Sequence, residues 1–499
     1  MHFAKRNSER ALHAFQRYYA ATLDDALVES ATREGGARAV ELFRDVSRSV
    51  PAYAKFLARH GVDPDSVRTP DDFARVPTTS KKDYHQANEL AELCRAGDLS
   101  TCDFVAVSSG STGEPTIWPR FASDEIGTAW RFEQVLADSF GAGSRRTLGV
   151  VCFALGSWVG GMYTIAACRH IAAKGYPLTL VTPGNQLAEI LRVVRALGPS
   201  FEQVVLFGYP PFLNDVLHAG HADGLDWRRH ATRLVTAGEV FSESFRSLVC
   251  ARAGADDPVR HSASLYGTAD GGVLANETPL SISIRRFLAE RPEAARELFG
   301  EARLPTLCQY DPTHRYFEVD GGELLFTGDG GAPLVRYRIL DRGGIVSHDA
   351  MLAFVRDHGF DPTAGLEIGR EARALPFVFV FGRGNFALSF YGANIYPENV
   401  SPALEQPKLA AHLTGKFVIE IADADEHPVL SVAVELARNI EPSYALALDV
   451  GIAVKAELER VNGEFLAYVP AMRRVPRIRL LRQGDPEYFP LGVKHRYTR

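Results

Sequence analysis

The run Val107-Ser108-Ser109-Gly110-Ser111-Thr112-Gly113-Glu114-Pro115-Thr116 gathers seven Ser, Thr or Gly residues into ten positions, directly after the short apolar run FVAV. Glycines let backbone N–H groups approach an anion closely, and hydroxyls add donors, so this loop suits phosphate binding. It is not a Walker loop, because GxxxxGK[ST] is unmatched and no lysine lies within it. Nor is it a nucleophile elbow: Ser109 stands two residues before Ser111, where GxSxG requires glycine. Taken alone, the loop could equally be a polar surface turn. A second motif, Gly382-Arg383-Gly384-Asn385-Phe386-Ala387, fits GxGxxG/A after an apolar strand. A dinucleotide site needs a helix to open there. The following LSFYGANIYP is aromatic and closed by proline, so the motif is rejected.

The elements that must position such loops read as α/β. Apolar residues recur at helical spacing over Ala39 to Ser49 and Ala52 to His60. From about 104 to 345, short β-rich runs (FVAVSS, TLGVVCFAL, PLTLVT, QVVLFG, TRLVTAG, HSASLYG) alternate with periodic helices, which predicts a parallel or mixed sheet. GELLFTG and PLVRYRI extend it. After LPFVFVFGRG, strands at FVIEIAD and VLSVAVEL, a helix over Tyr444 to Arg460 and a strand at PRIRLLRQ predict a small α+β domain. The expected division is a large N-terminal domain over 1–382, with mixed sheets and flanking helices, and a small C-terminal domain over 383–499.

The 499 residues carry 61 acidic and 55 basic side chains, a formal charge of −6, so no bulk basic field exists to hold nucleic acid. Hydrophobic residues at 46% and charged residues at 23% exclude disorder. Thr147 to Cys168 is uncharged over 22 residues, long enough for a membrane span. Gly149, Gly156, Gly160 and Gly161 divide it into strand, turn and helix, and no membrane partner is expected. Six scattered cysteines without a CxxC pair, and no apolar leader, point to a reduced, cytoplasmic protein.

With these features in order, the chain resembles the adenylate-forming, acyl-activating enzymes, especially their phenylacetate–CoA ligase branch. The serine/threonine/glycine loop is followed by FGYPPFL, VTAGEVFSESFR, LYGTADGG, APLVRYRILDRGG, GRGNFALSFYGANIYPENV and finally GVKHRY. The resemblance implies ATP and Mg²⁺ as cofactors, a small carboxylic acid as substrate, and CoA or an acyl carrier protein as acceptor. A homodimer is compatible with it. By similarity, Ser108, Ser109, Gly110, Ser111, Thr112 and Gly113 cradle the β- and γ-phosphates. Gly238 and Glu239 lie along the adenine, Tyr266 stacks near it, and Gly267 and Thr268 approach the α-phosphate. Asp341 holds the ribose hydroxyls, Arg383 reaches the ribose or phosphate, and Lys494 swings in to neutralise charge during adenylation. Asp270 is the implied Mg²⁺ ligand. The acid pocket is drawn from Phe153 to Gly161, with Trp158 and Tyr163, and from Phe207, Tyr209 and Thr236 to Gly238. Its apolar, aromatic lining suits an aryl or arylalkyl acid.

The chain departs from the family pattern at several points. Asp270 stands where glutamate is usual, Asn385 and Phe386 occupy the hinge, and Val493 separates Gly492 from Lys494. Glu114 places a carboxylate beside a loop meant for polyphosphate. These departures motivate one alternative, a nucleotide-binding homologue without turnover. Another is transfer of the same adenylate to an amine. Cys308 and His314 resemble a metal-binding stretch of some relatives, but two ligands do not make a zinc site, and none is assigned.

Overall fold

The computed structural model describes residues 2–32, 35–107, 116–156, 159–301, 303–383, 388–391, 393–424, 427–490 and 495–498. Its centre is a sheet of twelve strands among the described residues. Leu178–Val181, Thr147–Val151, Gln203–Gly208, Arg233–Ala237 and Ser262–Thr268 lie side by side in parallel. Gly272–Asn276 then turns back antiparallel on Ser262–Thr268, and Thr306–Gln309, Phe377–Arg383, Leu334–Val346, Glu323–Gly328 and Tyr316–Asp320 continue the sheet. The expected mixed sheet is therefore present.

The continuous apolar runs become strands because both faces of the parallel half are covered. Leu148, Val150, Cys152, Val204, Leu206 and Leu234 enter one core, with the helices Leu187–Leu197, Pro210–Ala222 and Glu243–Arg252. Their neighbours Val151, Phe153, Val205, Phe207 and Val235 enter the other, with Ala122–Gln134 and Val159–Ala173. The period-two alternation of side chains thus splits each strand between two layers. The uncharged segment 147–168 resolves into the strand Thr147–Val151 and a helix that starts at Val159. No helix among the described residues is long and apolar enough to cross a membrane.

The N-terminal helices Gly35–Ser49 and Pro51–Arg59 bury Phe43, Tyr53 and Phe56 against Phe73 and Tyr84. A short antiparallel pair, Phe104–Val107 with Ile117–Arg120, carries the 108–115 loop. At the other end, Leu413–Ala424, His427–Leu436 and Arg477–Leu481 form a three-stranded sheet covered by the helix Tyr444–Val461. That region has its own core, in which Phe417, Ile419, Val432, Val434, Val454 and Leu458 are all fully buried. After the GxGxxG motif, Leu388–Phe390 pairs antiparallel with Ala393–Ile395, so the described residues that follow it form strands.

Candidate active site

The candidate site lies at the carboxyl ends of the parallel strands, where open α/β sheets bind ligands. In register, Gly208 pairs with Thr236 and Ala237 with Leu265. Tyr209 and Gly238 therefore leave two adjacent strands at the same edge, where Tyr266 lies near the end of the third. Gly238 has φ +87°, and a Cβ there would sit 2.9 Å from the Tyr209 ring, so the backbone at this point needs glycine. Phe153 meets Tyr209 edge to face, with ring centroids 5.0 Å apart. Burial, helped by the Glu239 charge, pushes the Tyr209 phenol upward.

Two pairs of sequence-predicted residues, distant along the chain, come together or are held by unforeseen partners. Tyr266 donates its hydroxyl to Asp341 Oδ2 at 2.7 Å, and both are nearly buried. Asp341 stands directly across from Arg383 in the antiparallel pairing, which brings together the two residues expected near the ribose. Asp270 is 6% exposed and accepts the Tyr337 hydroxyl at 2.7 Å through Oδ2. A carboxylate held on one side by a phenol is a hard oxygen donor of the kind Mg²⁺ takes.

The turn that presents Asp270 is braced from beneath. Thr268 Oγ1 accepts the Gly271 N–H at 3.0 Å, and Gly272 adopts φ +70° against the Tyr163 ring. Arg120 donates to the carbonyls of Ala269 (2.5 Å) and Asp270 (2.8 Å), while Arg315 donates to that of Gly271 at 3.0 Å. Gly267 sits at the bulge that opens this turn, where a Cβ would lie 2.7 Å from the Gly272 carbonyl. Two guanidinium groups thus fix three successive carbonyls. Neither arginine was singled out in the sequence; an arginine inside the apolar run IWPR was the available signal for Arg120.

The C-terminal region closes over the same edge. Tyr497 donates to Glu239 Oε2 at 3.1 Å, and burial beside that carboxylate holds its phenol far above the usual range. Ser242 and Glu405 hydrogen-bond across the contact. Lys416 pairs with Asp215, and Asn214 donates to the Thr414 carbonyl at 2.6 Å.

Phe207 is fully buried in the core, its ring 6.0 Å from that of Phe132. Its orientation follows from strand alternation, and the residue that emerges at the edge is Tyr209. Tyr163 is 3% exposed beside Gly272 and does reach the turn. Cys308 is fully buried, whereas His314 pairs with Asp311 at 3.5 Å, and no group of three metal-ligating side chains occurs among the described residues. Ser108 to Gly113, Trp158 and Lys494 lie outside the described residues, as does the Arg383 side chain. A surface groove of about 550 Å³ near Leu191, Arg195 and Arg438 contains none of the site residues and lacks their convergent carboxylates.

No family model matches the chain. Phenylacetate-coenzyme A ligase of Aromatoleum evansii is 24% identical over 428 residues, covering 83% of this chain and 84% of the relative. Among solved structures, 2-hydroxyisobutyryl-CoA ligase in the postadenylation state superposes with a TM-score of 0.66 at 15% identity, over 93% of this chain and 88% of that one. The acyl acid amido synthetase GH3.15 superposes at 0.57 with 12% identity, over 93% and 89% of the two chains. The chain therefore has the fold of the adenylate-forming enzymes and, in sequence, resembles their phenylacetate–CoA ligase branch.

Proposed function

We propose that the protein activates an aryl or arylalkyl carboxylic acid with ATP and transfers the acyl group to a thiol, that of CoA or a carrier protein. In the first half-reaction a carboxylate oxygen bonds to the α-phosphorus and the bond to pyrophosphate breaks. In the second, the acceptor sulfur bonds to the acyl carbon and AMP leaves. The observation that carries this reading is the shared strand edge: Gly238, Tyr266, Asp341 and Asp270 converge there, beside the aromatic pair Phe153 and Tyr209.

In this reading Gly238 lets the nucleotide base lie flat on the chain. Asp341, oriented by Tyr266, accepts the ribose hydroxyls as a charge-assisted acceptor. Asp270, held by Tyr337, is the residue that would bind Mg²⁺, which when bound offsets phosphate charge. Arg120 and Arg315 keep the 269–271 carbonyls fixed, so Thr268 and Asp270 need no reorganisation during the reaction. The 108–113 loop and Lys494 are assigned to the phosphates on their residue types. The division at 382/383 and a cytoplasmic setting, which six unpaired cysteines support, belong to the same proposal. The likeness to an amido synthetase keeps amine transfer as the second reading.

The test is product analysis with Mg·ATP and a panel of aryl, arylalkyl and short aliphatic acids, with CoA, an amine donor, or neither. A CoA thioester of an aryl acid supports the proposal. An amide formed without CoA selects the second reading, and AMP release with aliphatic acids only removes the aryl assignment.

A further inference from the structure

Two of the six cysteines stand apart from the proposed chemistry. Cys94 and Cys102 lie with their sulfurs 3.7 Å apart and share a thiol hydrogen bond. A disulfide needs about 2.05 Å, so the sulfurs must approach by only about 1.7 Å. The local backbone is built to allow it: three short 3₁₀ turns, Ala91–Leu93, Arg95–Gly97 and Leu99–Thr101, are separated by extended residues at Cys94 and Asp98, and Cys102, also extended, follows the third. Cys94 is fully buried and donates to the Leu90 carbonyl at 3.4 Å, whereas Cys102 is partly exposed. An oxidant therefore reaches Cys102 first and finds Cys94 in place behind it. The shared proton holds the Cys102 thiol below its usual range and the Cys94 thiol far above. Cys152, Cys168, Cys250 and Cys308 are all buried, which pushes their thiols up and leaves them inert.

The position of the pair gives it leverage. Cys102 also contacts the Gly331 carbonyl at 3.7 Å. Gly331 is wedged against the Pro119–Arg120 backbone, where a Cβ would lie 2.5 Å from the Arg120 nitrogen. Asp103, the next residue, donates its N–H to the Arg120 carbonyl at 2.9 Å and accepts the Ala122 N–H at 2.7 Å. Between the cysteines, buried Arg95 binds Asp45, Asp329 and the Gly330 carbonyl. Both strands that carry the 108–115 loop thus rest on the segment a disulfide would tighten.

We propose that Cys94 and Cys102 are a modification site, closing to an intramolecular disulfide under a hydroperoxide and thereby displacing the base of the 108–115 loop. The Cys102 thiolate attacks the peroxide oxygen: an S–O bond forms, the O–O bond breaks, and hydroxide leaves to take up a proton as water. The Cys94 sulfur then attacks Cys102, the S–S bond forms, the S–O bond breaks, and the second hydroxide leaves with the Cys94 proton. Two thiols are oxidised and one hydroperoxide is reduced, giving two waters when the oxidant is hydrogen peroxide. The bond itself is independent of acid activation; its effect on ATP rests on the function proposed above.

The experiment is to reduce the full-length protein, remove the reductant and treat it with hydrogen peroxide. Thiols are counted under denaturing conditions, and the cross-link is mapped after alkylation. The expected result is a fall from six thiols to four, a mass loss of roughly 2 Da and a 94–102 cross-link, all reversed by dithiothreitol. Cys94→Ser is expected to trap a dimedone-reactive sulfenic acid at Cys102, and Cys102→Ser to resist oxidation; Cys94→Ala serves if the serine variant does not fold. Retention of all six thiols, or the same loss in Cys102→Ser, overturns the site. ATP affinity is read by calorimetry on both forms, with about a fivefold or greater weakening expected on oxidation. A cross-link that leaves a measurable ATP affinity unchanged overturns the effect on the loop. Absence of ATP binding in the reduced protein counts against the nucleotide reading, and the thiol count then decides the site alone.

Discussion

Replacing Glu405 by glutamine should stabilise the protein at alkaline pH and leave it unchanged at acid pH. Glu405 follows the short helix Ser401–Leu404 and accepts the Ser242 hydroxyl across the contact between the two regions. Burial pushes its carboxyl up to about 7, Glu457 adds repulsion, and Ser242, the Phe245 N–H and Arg285 only partly oppose them. The unfolded carboxyl titrates near 4.5. Between pH 4.5 and 7 the folded state therefore binds more protons than the unfolded one, and stability falls as pH rises through that window. A shift of this size corresponds to roughly 3 kcal/mol above pH 7. Because the residue keeps some solvent contact, about half of that is the lower bound expected. Glutamine still accepts the Ser242 hydroxyl and carries no charge. Urea unfolding of both proteins at pH 5 and pH 8 should give similar stabilities at pH 5 and a variant more stable by roughly 1.5–3 kcal/mol at pH 8. The double difference cancels other titrating carboxyls, such as Asp124 and Asp138, both pushed up to about 6. Identical pH dependence in the two proteins would refute the reasoning.

Three further substitutions separate site from scaffold. Gly238→Ala forces a side chain at φ +87° into the Tyr209 ring and should cost roughly 1–3 kcal/mol in denaturant stability while weakening ATP binding measured by calorimetry. Asp341→Asn keeps an acceptor for Tyr266 but loses the charge; ATP affinity should fall by about tenfold with an unchanged melting temperature. Glu277, 1% exposed, accepts from both Arg246 Nη atoms and from the Ser264 N–H, so Glu277→Gln leaves Glu243 to offset Arg246, Arg285 and Arg286 in this cluster. It should cost roughly 3–5 kcal/mol in chemical denaturation.

The parallel strands were legible because burial on both faces leaves a continuous apolar run, as in QVVLFG and TLGVV. The same uniformity hid which residue points where. Phe207 and Tyr209 read alike in sequence, yet only the second emerges from the strand end. Glu239 and Asp270 were marked by motif; their partners Tyr497 and Tyr337 lie inside the motifs GVKHRY and APLVRYRILDRGG, but nothing local in the sequence paired them. Tyr337 is 67 positions from Asp270, and Tyr497 is 258 from Glu239. No local period couples residues so far apart; the antiparallel return of the sheet and the docking of the C-terminal region do. The Cys94–Cys102 contact likewise had no CxxC spacing to announce it, because three irregular turns set it.

The central claim is that an acid and ATP form an acyl-adenylate before any acceptor binds. Exchange of labelled pyrophosphate into ATP measures that step alone. The account predicts exchange that requires Mg²⁺ and an aryl or arylalkyl acid, proceeds without CoA, and collapses in Lys494→Ala. Measurable ATP binding without exchange for any acid in the panel would contradict it and favour a nucleotide-binding protein without turnover.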